Sequence, residues 1–324
     1  MKILEAALNA RLALLGEPHD TAVRLFNGFT EGLPGLVAEV YARSLVLLNH
    51  AANPADLADA AAQALDFYRA RLPWLESGLV KTRRAADPEE RLGRPAFGER
   101  LARRVREEGV AYALDLRVNQ DTSFYIDTRL LRGWLRRQTD GLSVLNTFAY
   151  TGSLGTACSA GGAARVLQTD LSRRFLNLGK DSFALNGLPV RRADFLAEDF
   201  FRIAARLRRA GETFDLVILD PPFFSETPAG RVDLVGEMGA LVNKVRPLVR
   251  RGGRLVVVNN ALYVPGRELL DELERVGAGG WLELMEILPA PEDAAGYEQT
   301  RRGRLPADPA PFNHATKIAV FKVG

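Results

Sequence analysis

A chain of 324 residues has room for two domains of ordinary size and for a sizeable core. Its 47% apolar and 26% charged residues exclude a disordered or fibrous protein, and a formal charge of +3 permits an anionic partner without demanding one. One cysteine, Cys158, excludes an intramolecular disulfide and a multi-cysteine metal site, and no metal is expected.

Only six of the 43 basic residues are lysine, and the arginine excess offers planar forks suited to phosphate. No apolar run approaches the ~18 residues of a membrane span, so the expected location is the cytoplasm. The opening stretch, MKILEAALNARLALL, is apolar at helical spacing but broken by Glu5, Asn9 and Arg11. It reads as an amphipathic helix within residues 1–20 and not as a signal peptide.

Residues 21–117 read as a small α+β unit. Strands are expected at Ala22–Phe26 and within Leu36–Asn49, around the Gly/Pro turn of EGLPGL at Glu31–Leu36. A helix follows at Ala55–Arg71, then a strand at Leu79–Arg84 and a polar loop at Asp87–Pro95. Val105–Glu108 and Val110–Val118 supply two further strands. His19 and His50 stand alone and read as surface or half-buried imidazoles. The joining stretch, Asn119–Arg137, has Asp127 placed to cap the next helix, on which Arg129, Arg132, Arg136 and Arg137 face solvent or a phosphate.

From Leu142 the pattern alternates strand and helix. Strands are predicted at Leu142–Phe148, Ala164–Asp170, Val190–Phe195, Phe214–Asp220, Gly253–Asn260, Trp281–Pro289 and Lys317–Val323, the last two forming a terminal hairpin. The fold class is α/β, a Rossmann-like seven-stranded sheet over residues 118–324 with a smaller N-terminal α+β domain. Pro289–Pro311 is loop-like and suited to be a lid.

Three places on this sheet carry chemistry. The first strand runs into Ala149-Tyr150-Thr151-Gly152-Ser153, a small-residue turn that opens a helix and leaves backbone N–H groups facing a ligand. Some twenty residues on, Asp170 ends the next strand, where an acidic side chain can take two ribose hydroxyls. Phe214–Leu219 ends in Asp220-Pro221-Pro222-Phe223-Phe224, whose prolines stop any helix and leave rigid carbonyls at the strand tip. All three lie where open α/β sheets bind ligands, and the absence of GxGxxG argues against a dinucleotide fold.

Together these pieces resemble a class I S-adenosylmethionine (SAM) methyltransferase. Adding EGLPGL, QDTSFYIDTR at Gln120–Arg129, TDLS at Thr169–Ser172 and NGL at Asn186–Leu188, residues 20–324 resemble the bacterial large-subunit rRNA cytosine-C5 methyltransferases that carry a PUA domain. The resemblance implies SAM as cofactor, with Gln120 and Thr122 near its methionine end. Phe148, Tyr150, Thr151, Gly152 and Ser153 would form its loop, Asp170 with Leu171 would hold the ribose, and Asp194 and Phe195 would flank the adenine. The alternative for Asp194 is a helix N-cap.

Two departures set this sequence apart. The matching segment starts almost at Met1, without the family's PUA domain. After the fifth strand, where that family has its cysteine, the chain reads Val256–Tyr263 with Asn259 and Asn260 and no thiol. C5 methylation needs a thiolate to add at C6, and Cys158, in the small-residue helix, reads as core. The expectation is therefore an RNA methyltransferase, acting on rRNA by direct transfer to a base nitrogen. Asp220 and Pro221 would accept hydrogen bonds from the amine while Phe223 or Phe224 stacks on the base. A methyltransferase of a small molecule or protein side chain, and a non-catalytic SAM- or RNA-binding protein, are the alternatives; a homodimer stays open.

Overall fold

A computed structural model describes residues 1–324 and divides the chain into two units, residues 1–127 with 291–305 and residues 128–290 with 306–324. The first unit opens with helix α1 (Lys2–Arg11) and strand β1 (Ala22–Asn27), followed by the helical turn α2 (Gly28–Glu31). A sheet in the order β1-β2-β3-β4-β5 is completed by β2 (Leu36–Tyr41), β3 (Ser44–Asn49), β4 (Ser77–Thr82) and β5 (Arg94–Phe97). Only the β3–β4 pair is parallel, and helix α3 (Ala58–Arg71) makes the crossover that a parallel pair requires. Leu4 and Leu8 of α1 and Ala61, Ala64 and Tyr68 of α3 share one core with Leu25, Leu45 and Leu47 of the sheet.

The expected polar loop at Asp87–Pro95 is instead the short helix α4 (Pro88–Leu92) and the start of β5. Asp87 accepts a hydrogen bond from Glu89 N at 2.9 Å and Pro88 opens the helix, so the residues read as loop formers are an N-cap and its first turn. Beyond it, β6 (Arg104–Glu107) and β7 (Val110–Ala113) form a two-stranded ribbon, shorter than the expected strand to Val118. Residues 291–305 are not loose. Arg11 Nη2 donates to the Asp293 carbonyl at 2.9 Å, the Asp293 carboxylate accepts from Arg24 N at 3.0 Å, and Thr300 donates to Glu31.

The second unit begins with helix α5 (Arg129–Gln138). Its N-cap is Thr128 and no side chain caps it, because Asp127 lies in a 3-10 turn one residue too early. Arg132, expected on the outer face, is buried and donates to Thr128 Oγ1 at 2.7 Å.

The sheet follows: β8 (Ser143–Thr147), α6 (Ser153–Ala160), β9 (Arg165–Asp170), α7 (Arg173–Leu185), β10 (Phe195–Ala197), α8 (Phe200–Arg209) and β11 (Phe214–Leu219). The hairpin β12 (Phe224–Thr227) and β13 (Gly230–Asp233) precedes α9 (Met238–Val245), β14 (Val249–Asn259), α10 (Gly266–Val276), β15 (Leu282–Leu288) and β16 (Lys317–Val323).

Seven strands align as β10-β9-β8-β11-β14-β16-β15, parallel except for β16, which runs antiparallel between β14 and β15. The terminal hairpin is thus present with its last strand inserted. Strand alternation sends Val144, Val166, Leu216 and Val256 to one face, against Leu135 and Cys158 of α5 and α6. The next residues, Leu145, Leu167, Val217 and Val257, go to the other, against Ile203, Leu241 and Leu269. Helices on both faces explain why the strands are continuously apolar and not alternating.

Val190–Phe195 is not a strand. Most of it is loop and a 3-10 turn, Arg192–Asp194, and the edge strand is only the three residues Phe195–Ala197.

Candidate functional site

The chain leaves β8 through a turn with unusual backbone. Phe148 and Tyr150 have φ of 51° and 50°, and Gly152 has 74°. Two side-chain-bearing residues in the left-handed region cost on the order of 1–3 kcal/mol each, so the surroundings must hold them there. Ala149 N donates to the Thr169 carbonyl at 2.8 Å, and Gly152 N donates to the Ala149 carbonyl at 2.7 Å. Tyr150 N donates to Asp170 Oδ2 at 2.8 Å.

Gly152 is also required sterically, since a Cβ there would lie 2.8 Å from Gln168 Oε1 and 2.9 Å from Gly179 Cα. At Gly155 the same oxygen would be 2.3 Å away. The turn therefore presses onto β9 and α7, and the first amides of α6 have no partner within that helix.

Asp170 ends β9 and ties the turn to the next helix. Its Oδ1 accepts from Ser172 N at 2.8 Å while Oδ2 holds Tyr150 N. Burial pushes its pKa above the ordinary carboxylate value, and the two backbone N–H groups pull the other way. Each oxygen keeps a lone-pair direction for a ligand hydroxyl, which a vicinal diol matches. Leu171, next in the chain, is 67% exposed beside it, and Ser172 caps α7.

Asp194 and Phe195 do not stand at this end of the sheet. Phe195 pairs with Gln168 and Ala197 with Asp170, so the expected adenine residues open β10 when they were read as closing it. Asp194 faces Arg165 at 3.4 Å, and Phe195 is buried against Phe183. Nor does Asp194 cap a helix. At the carboxyl end of β10 stand Glu198, whose N donates to the Asp170 carbonyl at 3.0 Å, and Asp199, which caps α8 by accepting from Phe201 N and Arg202 N. Phe200 stacks on Phe148 with ring centres 4.5 Å apart.

The sequence reading missed Asp199 and Phe200. The signal was present: an acid followed by helical periodicity marks an N-cap just after a strand. It missed as well the buried amides of Asn146 and Gln168, neighbours on β8 and β9. Asn146 Nδ2 donates to Gln168 Oε1 at 3.3 Å, while Asn146 Oδ1 and Gln168 Nε2 have no partner.

Asp220 follows β11, partly buried, with Pro221 buried behind it. Phe223 and Phe224 are 47% and 51% exposed, so neither is a core aromatic. At the tip of β14, Asn259 is buried. Its Oδ1 accepts from Ala261 N at 2.9 Å and its Nδ2 reaches the Leu234 carbonyl at 3.4 Å. Lys317, across from Asn259 on β16, donates to the Ala261 carbonyl at 2.9 Å and has its pKa pushed down to about 8 by burial.

Cys158 is fully buried in α6, and burial raises its thiol far above the ordinary range. Thr122, in the first unit, is buried with its hydroxyl 2.7 Å from Tyr41 OH; Gln120 of the same unit is exposed.

A strained turn opening a helix, an acid ending the strand on one side of it and an Asp-Pro-Pro tip ending the strand on the other make the arrangement expected of a methyl-donor site on a Rossmann-like sheet. The profile of the S-adenosylmethionine-dependent methyltransferase family matches residues 91–298, and the chain belongs to that family, with SAM as its cofactor.

The ribosomal RNA large subunit methyltransferase I of Aeromonas salmonicida is 33% identical over 231 residues, 71% of this chain and 58% of that protein. A ribosomal RNA large subunit methyltransferase of Deinococcus radiodurans is 30% identical over 311 residues, 91% of this chain and 75% of that one. The chain spans about 58% of the length of the first of these relatives. A Streptococcus mutans structure described as a SAM-dependent methyltransferase superposes with a TM-score of 0.84 at 20% identity, covering 99% of this chain and 80% of that one.

Proposed function

We propose that the protein methylates RNA, specifically large-subunit rRNA, by direct transfer to a base nitrogen. The relatives support RNA as the acceptor, since two proteins matching 71% and 91% of this chain are named ribosomal RNA large subunit methyltransferases. The observation that carries nitrogen over C5 is the missing thiol. The β14 tip presents Asn259 with its amide already engaged, and the chain's cysteine lies at the centre of a core. The β14 tip thus offers no thiolate to add at C6 of a pyrimidine.

SAM, when bound, supplies a methyl group already activated on sulfonium. The protein's task is then mostly positioning. The turn Ala149–Ser153 would take the methionine end, Asp170 and Leu171 the ribose, and the Asp199–Phe200 corner, in place of Asp194 and Phe195, the adenine. Asp220 and the Pro221 carbonyl would accept hydrogen bonds from the acceptor amine and so orient its lone pair. Phe223 covers the base. As the N–CH3 bond forms and the methyl–sulfur bond breaks, a neutral thioether is left behind, and Asp220 would receive the proton that the nitrogen gives up. A base drawn from a duplex must be flipped out, at a cost of a few kcal/mol.

Incubation of unmodified large-subunit rRNA transcripts with labelled SAM, followed by nucleoside mass spectrometry, should yield one N-methylated nucleoside. Asp220→Ala should abolish the product and keep SAM binding. Formation of 5-methylcytosine would overturn the nitrogen assignment, and absence of label from every RNA would overturn the choice of acceptor.

A further inference from the structure

Beside the Asp-Pro-Pro tip the second unit carries a basic surface to which the methyl-transfer chemistry gives no role. Helix α8 presents Arg202, Arg206 and Arg209, spaced four and three residues apart and so on one face. All three are exposed and line a shallow depression of about 370 Å³, closed on one side by Phe201 and by Ala229 at the tip of the β12–β13 hairpin. Arg206 pairs with Glu198 at 2.9 Å, whereas Arg202 and Arg209 make no ion pair. With Glu198 the only acid in its lining, the depression carries a surplus of positive charge.

This surface is fastened to the site. Gly230 of the hairpin lies against the Phe201 ring, where a Cβ would come within 2.6 Å, and Thr227 Oγ1 donates to Asp199 Oδ2 at 2.6 Å. Phe201 packs edge-on to Phe200, and Phe200 stacks on Phe148 of the turn. The same hairpin begins with Phe224, half exposed, with the Arg231 guanidinium 5.4 Å from the centre of its ring. A row of exposed guanidinium groups, two of the three without an ion pair, leading away from exposed aromatics matches one kind of ligand: a single strand whose bases stack and whose phosphates need forked donors.

We infer that α8 and the β12–β13 hairpin form a track for the phosphodiester backbone of the RNA strand flanking the methylated nucleotide, held by Arg202, Arg206 and Arg209. The inference rests on RNA being the acceptor. Neutralising three phosphates of a single strand contributes about 2 units to the slope of log K against log salt, which amounts to about 100-fold in affinity at 0.1 M salt and vanishes near 1 M.

The test compares the full-length protein with the triple variant Arg202→Ala, Arg206→Ala, Arg209→Ala. A second triple variant, Arg251→Ala, Arg267→Ala, Arg275→Ala, changes net charge equally elsewhere on the same unit. Binding of an unmodified large-subunit rRNA transcript is measured by filter retention across a salt series, and SAM binding by calorimetry. The track predicts that the first variant alone loses about 2 units of slope and about 100-fold at low salt, with SAM affinity intact. Should the wild type methylate RNA while both variants bind it alike, the track is wrong and RNA as acceptor survives. Should the wild type neither bind nor methylate RNA, both fall.

Discussion

Asp170 holds the turn with its carboxylate and is also the residue proposed for the ribose, and the two roles respond differently to substitution. Two of its acceptor positions hold Tyr150 N and Ser172 N and so keep Tyr150 at its left-handed φ. The others are the ones assigned to the ribose. Asp170→Asn keeps the shape but removes the charge, and hydrogen bonds to charged groups are worth about 1.5–3 kcal/mol. SAM affinity should therefore fall by about 10- to 150-fold, and because the amide keeps one acceptor oxygen where Tyr150 N and Ser172 N need two, stability should fall by about 1–3 kcal/mol as well. Asp170→Ala should lose more, because the turn is also released.

The pH dependence follows from the same group. Its pKa is raised, so on acidification it takes up a proton at a higher pH than the ordinary carboxylate, near 3.9, and the ionised acceptor is lost there. Calorimetric titrations at descending pH should show wild-type affinity falling before that value is reached and a flat profile for Asp170→Asn. Equal profiles for the two proteins would remove Asp170 from the cofactor site.

At the scale of elements, residues 291–305 are held to the first unit through Glu31. Its carboxylate takes both arms of the buried Arg11 guanidinium at 3.0 Å, the Asn27 N–H at 2.7 Å and the Thr300 hydroxyl. Removing one partner of a buried ion pair strands the other charge, at a cost of about 3–5 kcal/mol. Glu31→Ala should therefore lower the unfolding free energy by about that much, and hydrogen exchange should quicken in α1 and in 291–305 together. A loss under about 1 kcal/mol, or exchange confined to one of the two, would show that the segment is held by something else.

None of this clamp was legible from sequence. Arg11 and Glu31 sit in unrelated local patterns, and their partners at 293 and 300 come from a stretch whose Pro and Gly content reads as loop. Interior strands such as Phe214–Leu219 were legible because burial on both faces leaves an unbroken apolar run. The edge strand Phe195–Ala197 was not, since three residues with one neighbour carry no period. Misplacing it put the residues expected beside the adenine, Asp194 and Phe195, at the start of the strand, whereas Asp199 and Phe200 follow its carboxyl end.

On the scale of the whole molecule, the single thiol reports both on chemistry and on cooperativity. Cys158 lies between β8, β9 and α5, within the core that closes one face of the seven-stranded sheet. A catalytic cysteine is exposed and of low pKa, and labels at once with a thiol reagent. Cys158 is fully buried with its thiol held protonated, so labelling must wait for that core to open. In native buffer the thiol should react at a small fraction of the rate of the unfolded chain. The rate should climb with denaturant along the same curve as the unfolding equilibrium.

If SAM binds the folded state at the proposed turn and strand tips of this unit, it should slow labelling by the factor 1 + [SAM]/Kd, about 100-fold at a hundred times Kd. Cys158→Ala should keep methyl transfer within about twofold, since the nucleophile in the proposed chemistry is the substrate nitrogen. Rapid labelling of the native protein, blocked by RNA and accompanied by loss of activity, would place a thiolate in the reaction and return the chemistry to C5.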